Sequence, residues 1–183
     1  MSSVRYIIRD GIVVADSWTL IPAVEDGAAV ALPPGKLIVP LNAWMAQRDA
    51  LVERQQALGV WLDSQQDPAE IADAIDRFAL IAVSFPKFTD GRGYSIAALL
   101  RGRYGFKGEL RAIGDVLRDQ LFYLRRVGFN AFAVRADKDI HDALNALSDF
   151  SEAYQGAIDQ PLPLFRRRSG SAPSPAKGRV GVG

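Results

Sequence analysis

Residues 58–150 alternate short apolar runs with amphipathic segments, and this alternation constrains the fold more than any other feature of the sequence. The run 79–85 is apolar at every position but one, which is typical of a strand buried within a parallel sheet. Strands that alternate with helices predict a parallel sheet with right-handed crossovers. The pattern occurs four times, with strands predicted at 58–62, 79–85, 110–113 and 131–134 and helices at 67–76, 94–103, 115–127 and from 139.

Four strand–helix units are too few for a closed eight-fold barrel. We therefore predict an α/β fold with an open, mostly parallel, doubly wound sheet, and a partial barrel is the alternative. Before these units, Asp10-Gly11 predicts a tight turn in an N-terminal β-hairpin, since both residues tolerate the positive φ angles of such turns. Residues 22–36 predict an irregular connection, and Asn42 is a candidate cap for a helix running to about residue 57.

The domain organisation follows from length and composition. A chain of 183 residues, 49% of them apolar, has material for one ordinary core. We predict one domain over 1–163, with the hairpin and connection at 1–40 and the strand–helix units at 41–150. Residues 164–183 have five basic and no acidic side chains and little apolar area to bury, so they predict a disordered basic tail.

The sequence contains no cysteine and one histidine, His141. It therefore excludes disulfides, a cysteine nucleophile and cysteine-ligated iron–sulfur clusters. No protein-ligated metal is expected, because zinc and non-haem iron sites draw on several His or Cys ligands. A cofactor cannot be named from the sequence. The sequence predicts neither a signal peptide nor a membrane span, so cytoplasm is the expected location.

The formal net charge of +1 hides an uneven distribution. Residues 87–126 contain nine basic and four acidic side chains, whereas the chain before residue 166 has 17 basic and 21 acidic ones. A basic centre within an acidic body indicates a local anion site and does not favour nucleic acid as a partner.

The predicted site lies at the carboxyl edge of the sheet, where ligands bind in open parallel sheets. Charged and polar residues follow each predicted strand. Candidates for a catalytic acid or base are Asp63, Asp90 and Asp115; for Asp115, capping of the following helix is the alternative interpretation. Candidate anion-binding residues are Lys87, Thr89, Gly91, Arg92, Gly93, Ser95 and Arg135.

The loop 86–95 carries most of this prediction. Two glycines allow close approach of the backbone, a helix start offers free N–H groups, and the Arg92 fork suits an oxyanion such as sulfite, sulfate, phosphate or a carboxylate. The structural alternative is that Gly91 and Gly93 make the turn, Asp90 caps the helix and Arg92 pairs with an acid. The spacing matches neither a phosphate-binding P-loop nor a dinucleotide fingerprint.

Five segments resemble a known family. They are Phe-Pro-Lys-Phe-Thr-Asp-Gly-Arg-Gly-Tyr-Ser at 85–95, Leu-Leu-Arg at 99–101, Arg-Ala-Ile-Gly-Asp at 111–115, Arg-Asp-Gln-Leu at 118–121 and Gly-Phe-Asn-Ala-Phe at 128–132. Over roughly 40–150 the chain resembles a proteobacterial family of unknown function, whose members are often labelled as an oxidoreductase involved in sulfite reduction. That label rests on genes beside a sulfite/nitrite reductase haemoprotein, so the resemblance implies a pathway and no catalytic residues.

Two functional hypotheses follow. Sulfite reduction needs haem, iron–sulfur or flavin centres, and the sequence offers no fingerprint for them. The first hypothesis is therefore an accessory protein of assimilatory sulfate/sulfite reduction that binds an oxyanion or docks on the reductase. The second is an enzyme, with a flavin or a nicotinamide among its possible cofactors, acting on a small anionic or phosphorylated substrate at the carboxyl edge. Lys87, Arg92 and Arg135 would then bind the substrate.

Overall fold

The computed structural model describes residues 4–25, 28–87 and 89–147. The strands are β1 (Tyr6–Arg9), β2 (Ile12–Ala15), β3 (Trp18–Leu20), β4 (Lys36–Pro40), β5 (Leu58–Leu62), β6 (Leu80–Phe85), β7 (Glu109–Gly114) and β8 (Ala131–Phe132). The α-helices are α1 (Leu41–Ala46), α2 (Arg48–Val52), α3 (Arg92–Gly102), α4 (Leu121–Arg126) and α5 (Ile140–Ala146). Two 3₁₀ helices span Pro68–Arg77 and Arg118–Gln120.

The eight strands form one mixed sheet in the order β2-β1-β8-β7-β6-β5-β4-β3. From β3 to β8 the strands are neighbours in chain order and pair in parallel. Strand β1 pairs antiparallel with both β2 and β8. Because the order from β3 to β8 never reverses, right-handed crossovers place the connecting helices on one face of the sheet. The doubly wound arrangement, which requires a reversal of strand order, is therefore wrong.

The two edge strands of this sheet are joined by only Asp16 and Ser17. Three Cα–Cα steps separate Ala15 from Trp18, a reach of at most about 11 Å, whereas the edges of a flat eight-stranded sheet lie roughly 34 Å apart. The sheet must therefore curl until its edges meet. Strand β2 is antiparallel to β1, and β1 is antiparallel to β8, so β2 runs in the same direction as β8. Strand β3 therefore continues β2 across the two-residue link, and the curled sheet closes into a ring.

Both faces of the curled sheet are buried. The outer face packs against the helices, and Phe85, for example, contacts the Tyr94 ring of α3 with centroids 5.6 Å apart. The inner face forms a second apolar cluster, as in small barrels whose interior is just wide enough for side chains. Its buried members are Ile7, Ile38, Leu80, Ala82, Ile113 and Ala133, with Val14, Trp18, Leu20 and Trp61 packed against them.

The mixture of helices and strands and the N-terminal hairpin are confirmed. Asp10 and Gly11 adopt φ angles of 50° and 79° at the hairpin turn. The prediction of an open sheet of four strand–helix units is wrong, because the sheet is curled and a helical segment also follows β4. Its strand pairing is mostly parallel, as expected, with antiparallel pairing at β1. The predicted basic tail at 164–183 lies outside the described residues.

The predicted helices are shorter than expected. The prediction of Asn42 as a helix cap is wrong, because Asn42 is the second residue of α1 and Pro40 is its N-cap. The helical segment divides at Gln47, whose side chain bonds both backbone groups of Val30, and it ends at Val52. The helix predicted at 115–127 is a 3₁₀ turn followed by α4. The starts at Asp67 and Asp139 are confirmed, since each carboxylate accepts a hydrogen bond from a backbone N–H two residues on.

Candidate functional site

The loops after β5, β6, β7 and β8 meet at the carboxyl edge, because these four strands are successive neighbours in the sheet. Hydrogen bonds join each loop to the next. Ser64 Oγ donates to Asp90 Oδ2 at 2.7 Å, and the backbone N–H of Asp115 donates to the carbonyl of Phe85 at 2.8 Å. Arg135 Nη1 donates to Asp115 Oδ1 at 2.8 Å. The edge is therefore one connected polar surface.

In the loop after β6, Arg92 folds back on Asp90. Its Nε donates to Oδ1 at 3.0 Å and its Nη2 to Oδ2 at 2.7 Å, while the Arg92 backbone N–H donates to Oδ1 at 3.1 Å. The Asp90 carboxylate thus lies at the start of α3, where a bound anion was expected. The structural alternative predicted this pairing of Arg92 with an acid, whereas the N-cap of α3 is Gly91 and Asp90 precedes it.

These contacts determine the protonation of Asp90. Its pKa is held well below the usual range, chiefly by the hydrogen bonds from the Arg92 side chain, then by those from Ser64 and the Arg92 N–H. Bonding to the charged form favours that form. Asp90 is therefore an ionised acceptor near neutral pH, which suits an ion-pair partner better than a proton donor.

The two glycines of this loop have different surroundings. A Cβ on Gly93 would lie 2.6 Å from ring atoms of Phe85, so α3 approaches β6 too closely for any side chain there. A Cβ on Gly91 would meet nothing within 4 Å, and this residue has an ordinary φ of −79°. Gly93 therefore serves helix–strand packing.

A second ion-pair group lies after β7 and β8. Besides Asp115, Arg135 binds Asp137 through Nε and Nη2, both at 2.8 Å. These carboxylates, Asp137 first, raise the pKa of Arg135, and Arg135 in turn lowers the pKa of Asp137. The interpretation of Asp115 as a helix cap is wrong, since the helical segment begins at Arg118 with Leu117 as its N-cap. Asp115 instead joins two loops.

The remaining candidates lie on the same edge. Asp63 Oδ1 accepts a hydrogen bond from the backbone N–H of Gln65 at 3.1 Å and lies 3.3 Å from Ser64 Oγ. Lys87, Thr89 and Ser95 are exposed. The structure thus brings the candidate acids and cations to one edge, with both arginine forks closed by carboxylates of the chain itself.

The basic centre at 87–126 does not converge on one site. Arg92 belongs to the carboxyl edge, and Arg118 pairs with Asp142 on α5 at 3.1 Å. Arg101 is half-buried and binds backbone carbonyls of Phe106, Gly108 and Gly128. Its pKa is lowered by burial. Arg111 is almost fully buried, with 2% of its side chain exposed.

The Arg111 group is the polar feature that the sequence reasoning missed. Arg111 Nε donates to Glu109 Oε1 at 2.8 Å, Nη1 binds Asp16, and Arg9 lies 3.8 Å from the other oxygen of Glu109. Arg111 Nη2 also forms an ion pair with Glu109 Oε1 at 2.7 Å, but the geometry of this contact is not that of a hydrogen bond. The sequence did contain a signal for this group. Arg111 lies within an otherwise apolar predicted strand, and a buried charge requires partners.

Gln120 contacts α3. Its side chain hydrogen-bonds Tyr94, and its Oε1 accepts from the backbone N–H of Leu117 at 3.0 Å. Burial raises the pKa of Tyr94. Gln120 therefore connects the segments that follow β6 and β7.

Within the described ranges, no three His, Cys, Asp or Glu side chains are grouped so that they could hold a metal ion. Nor does this part of the chain contain a helix with the length and apolar character needed to cross a membrane.

The family comparison matches residues 59–165, from β5 onward, to the family described as bacterial protein of unknown function (DUF934). The comparisons with curated proteins and with solved structures each gave no match. The matched range covers more than half of the chain and contains all four loops of the carboxyl edge. The chain belongs to this bacterial family of proteins of unknown function.

Proposed function

We propose that this protein is an accessory factor of assimilatory sulfate/sulfite reduction that docks on the sulfite reductase through the carboxyl edge of its sheet. One observation carries the docking part: both arginine forks at this edge are closed by carboxylates of the chain, Arg92 by Asp90 and Arg135 by Asp115 and Asp137. The pathway part is supported by the sequence resemblance.

Closed ion pairs favour a protein partner over a small substrate. An open oxyanion site presents unpaired donors to its ligand, whereas these donors already have acceptors. Fixed ion pairs of alternating charge suit the rim of a protein–protein interface. There they set the relative orientation of the two proteins and the rate at which the two proteins associate. The four linked loops supply such charges without needing a bound ligand to order them.

Co-purification tests the docking proposal. A tagged protein is expected to retain the untagged reductase haemoprotein, and Lys87→Glu combined with Lys138→Glu is expected to weaken that retention strongly. Both lysines are exposed at the carboxyl edge. The matched control is Arg103→Glu with Lys107→Glu, two exposed cations before β7 at the opposite edge. Equal retention by both double variants, or no retention by the wild type, would contradict the proposal.

Holding a small oxyanion is a second candidate, because the Arg92 fork, the Arg92 N–H and the Ser64 hydroxyl all point donors at one carboxylate. An oxyanion displacing Asp90 would meet the same donors. In the enzyme form of this candidate, Asp63 or Asp115 serves as acid or base. Thermal melts with sulfite, sulfate, phosphate, FMN and NADPH test it, since a ligand that binds the native state raises the Tm. A saturable rise that Arg92→Ala abolishes would favour this candidate over docking.

A further inference from the structure

The connections that lead into β4, β5, β6 and β7 lie side by side at the amino edge of the sheet, opposite the carboxyl edge. Hydrogen bonds join each connection to the next. Arg54 Nη2 donates to the carbonyl of Gly35 at 3.0 Å, and the backbone N–H of Ala79 donates to the carbonyl of Leu58 at 3.0 Å. The backbone N–H of Glu109 donates to the carbonyl of Ala79 at 3.1 Å. The amino edge is therefore a second continuous surface.

The cations of this edge are not neutralised by carboxylates of the chain. Six arginine and lysine side chains there form no ion pair with any residue that the structure describes, namely Lys36, Arg54, Arg77, Arg101, Arg103 and Lys107. Arg54 and Arg101 bind backbone carbonyls, which are neutral acceptors. Arg77, Arg103 and Lys107 are exposed. At the carboxyl edge, in contrast, the arginine forks are closed by carboxylates.

Few acids offset this charge. The same connections contain Glu53, Asp76 and Glu109, and Glu109 is already paired with Arg9 and Arg111. The excess of positive charge is also local, because the chain before residue 166 has 17 basic and 21 acidic side chains in total. A cationic surface on an otherwise acidic body attracts and orients an anionic partner at that surface alone.

Two observations favour an acidic protein segment over a nucleic acid as this partner. A long nucleic acid would extend past the amino edge and meet the acidic remainder of the body. Surfaces that bind single strands also present aromatic rings on which bases stack. In the part of these connections that the structure describes, no aromatic ring is exposed: Phe78 and Phe106 are buried, and Tyr104 is half-buried, with the Arg103 guanidinium 5.7 Å from its ring centre.

We infer that the amino edge binds a short acidic segment of a partner protein, extended across the connections into β4, β5, β6 and β7. Four neighbouring strands span about 14 Å, a distance that about five extended residues cover. The forks of Arg77 and Arg103 bind carboxylates of the segment, and Lys107 adds a third exposed charge. This inference is independent of the proposed docking function, which concerns the opposite edge.

Peptide binding tests the inference. Fluorescence anisotropy measures the affinity of the full chain for a fluorescein-labelled hexaglutamate peptide at physiological ionic strength. Arg103→Glu with Lys107→Glu is expected to weaken binding by roughly tenfold or more, because like charges now face the peptide. The matched control is Lys87→Glu with Lys138→Glu, which changes the net charge equally at the carboxyl edge and is expected to leave peptide binding close to wild type.

The two double variants thus have opposite expected effects on the two surfaces, since the pair that weakens retention of the reductase leaves the peptide bound. No peptide binding by the wild type, or equal weakening in both double variants, would overturn the inference. Tighter binding of single-stranded oligouridylate than of hexaglutamate, lost in Arg103→Glu with Lys107→Glu, would assign the amino edge to nucleic acid and overturn the protein partner.

Discussion

Arg111 donates two hydrogen bonds from Nη1 to the carboxylate of Asp16, at 3.1 and 3.0 Å, across 95 residues of chain. Asp16 belongs to the two-residue link between the edge strands, and Arg111 lies in the middle of β7. The pair therefore connects the closing segment of the curled sheet to a strand elsewhere in the ring. Both side chains are buried, with 2% and 7% exposed.

Asp16→Ala is expected to lower the free energy of unfolding by about 3–5 kcal/mol, because it leaves the buried Arg111 charge with Glu109 alone. Urea denaturation measures the change. The matched control is Asp73→Ala, which breaks the exposed pair with Arg48; exposed pairs contribute little, so its stability should stay close to wild type. A loss as small for Asp16→Ala as for Asp73→Ala would show that the interior pair does not stabilise ring closure.

Gly93→Ala is expected to destabilise the protein by about 1–3 kcal/mol, because the new methyl group overlaps the Phe85 ring and overpacked sites cost this much. Gly91→Ala, two residues earlier, meets open space at an ordinary φ. It should be neutral or add about 0.4–1 kcal/mol through the unfolded state. Thermal melts of the two variants measure the difference, and equal effects would contradict the assigned packing role of Gly93.

Two separate substitutions are each expected to raise the pKa of Asp90, by unequal amounts. Arg92→Ala removes the largest cause of its depression and should raise it most, and Ser64→Ala should raise it less. A folded-state pKa below the ordinary value of 3.8 contributes stability that is present above that pH and is lost as pH falls through the folded pKa. Carboxyl NMR titration of the wild type and the two variants measures the pKa of Asp90 in each. A larger rise in Ser64→Ala than in Arg92→Ala would contradict the order of the two causes.

Arg101→Lys is expected to cost about 1–3 kcal/mol, since one ammonium cannot reach the separate carbonyls that the planar guanidinium binds, and unsatisfied buried acceptors carry this cost. Arg103→Lys is the control, because Arg103 is exposed and its described contact is with the Tyr104 ring. Chemical denaturation compares the two. Equal stability of both variants would mean that the carbonyls near Arg101 find other donors.

Local features of the fold were predictable because short-range chemistry determines them. The Asp10-Gly11 turn, the helix starts at Asp67 and Asp139 and the buried strand β6 each follow from neighbouring residues. Ring closure was not predictable, because it depends on the pairing of β1 with β8, more than 120 residues apart. No local signal indicates that residues 18–20 pair with β4.

The candidate site was predictable as a location and less so as an arrangement. Parallel strands bring their carboxyl ends together whatever the loops contain, so Asp63, Asp90, Asp115 and Arg135 were expected on one edge. Which carboxylate closes which arginine depends on side-chain reach across loops, as in the Arg135–Asp115 bond.

The ring has a consequence for fragments of this protein. The family match starts at Gly59, inside β5, so it omits the strands that cover one side of β5 and one side of β8. A piece cut at that boundary would expose two ladders of unpaired backbone groups, and bare ladders of this kind recruit strands from other molecules. Expression of the matched range alone should therefore yield aggregates, and co-expression of residues 1–58 as a separate chain should restore a soluble complex.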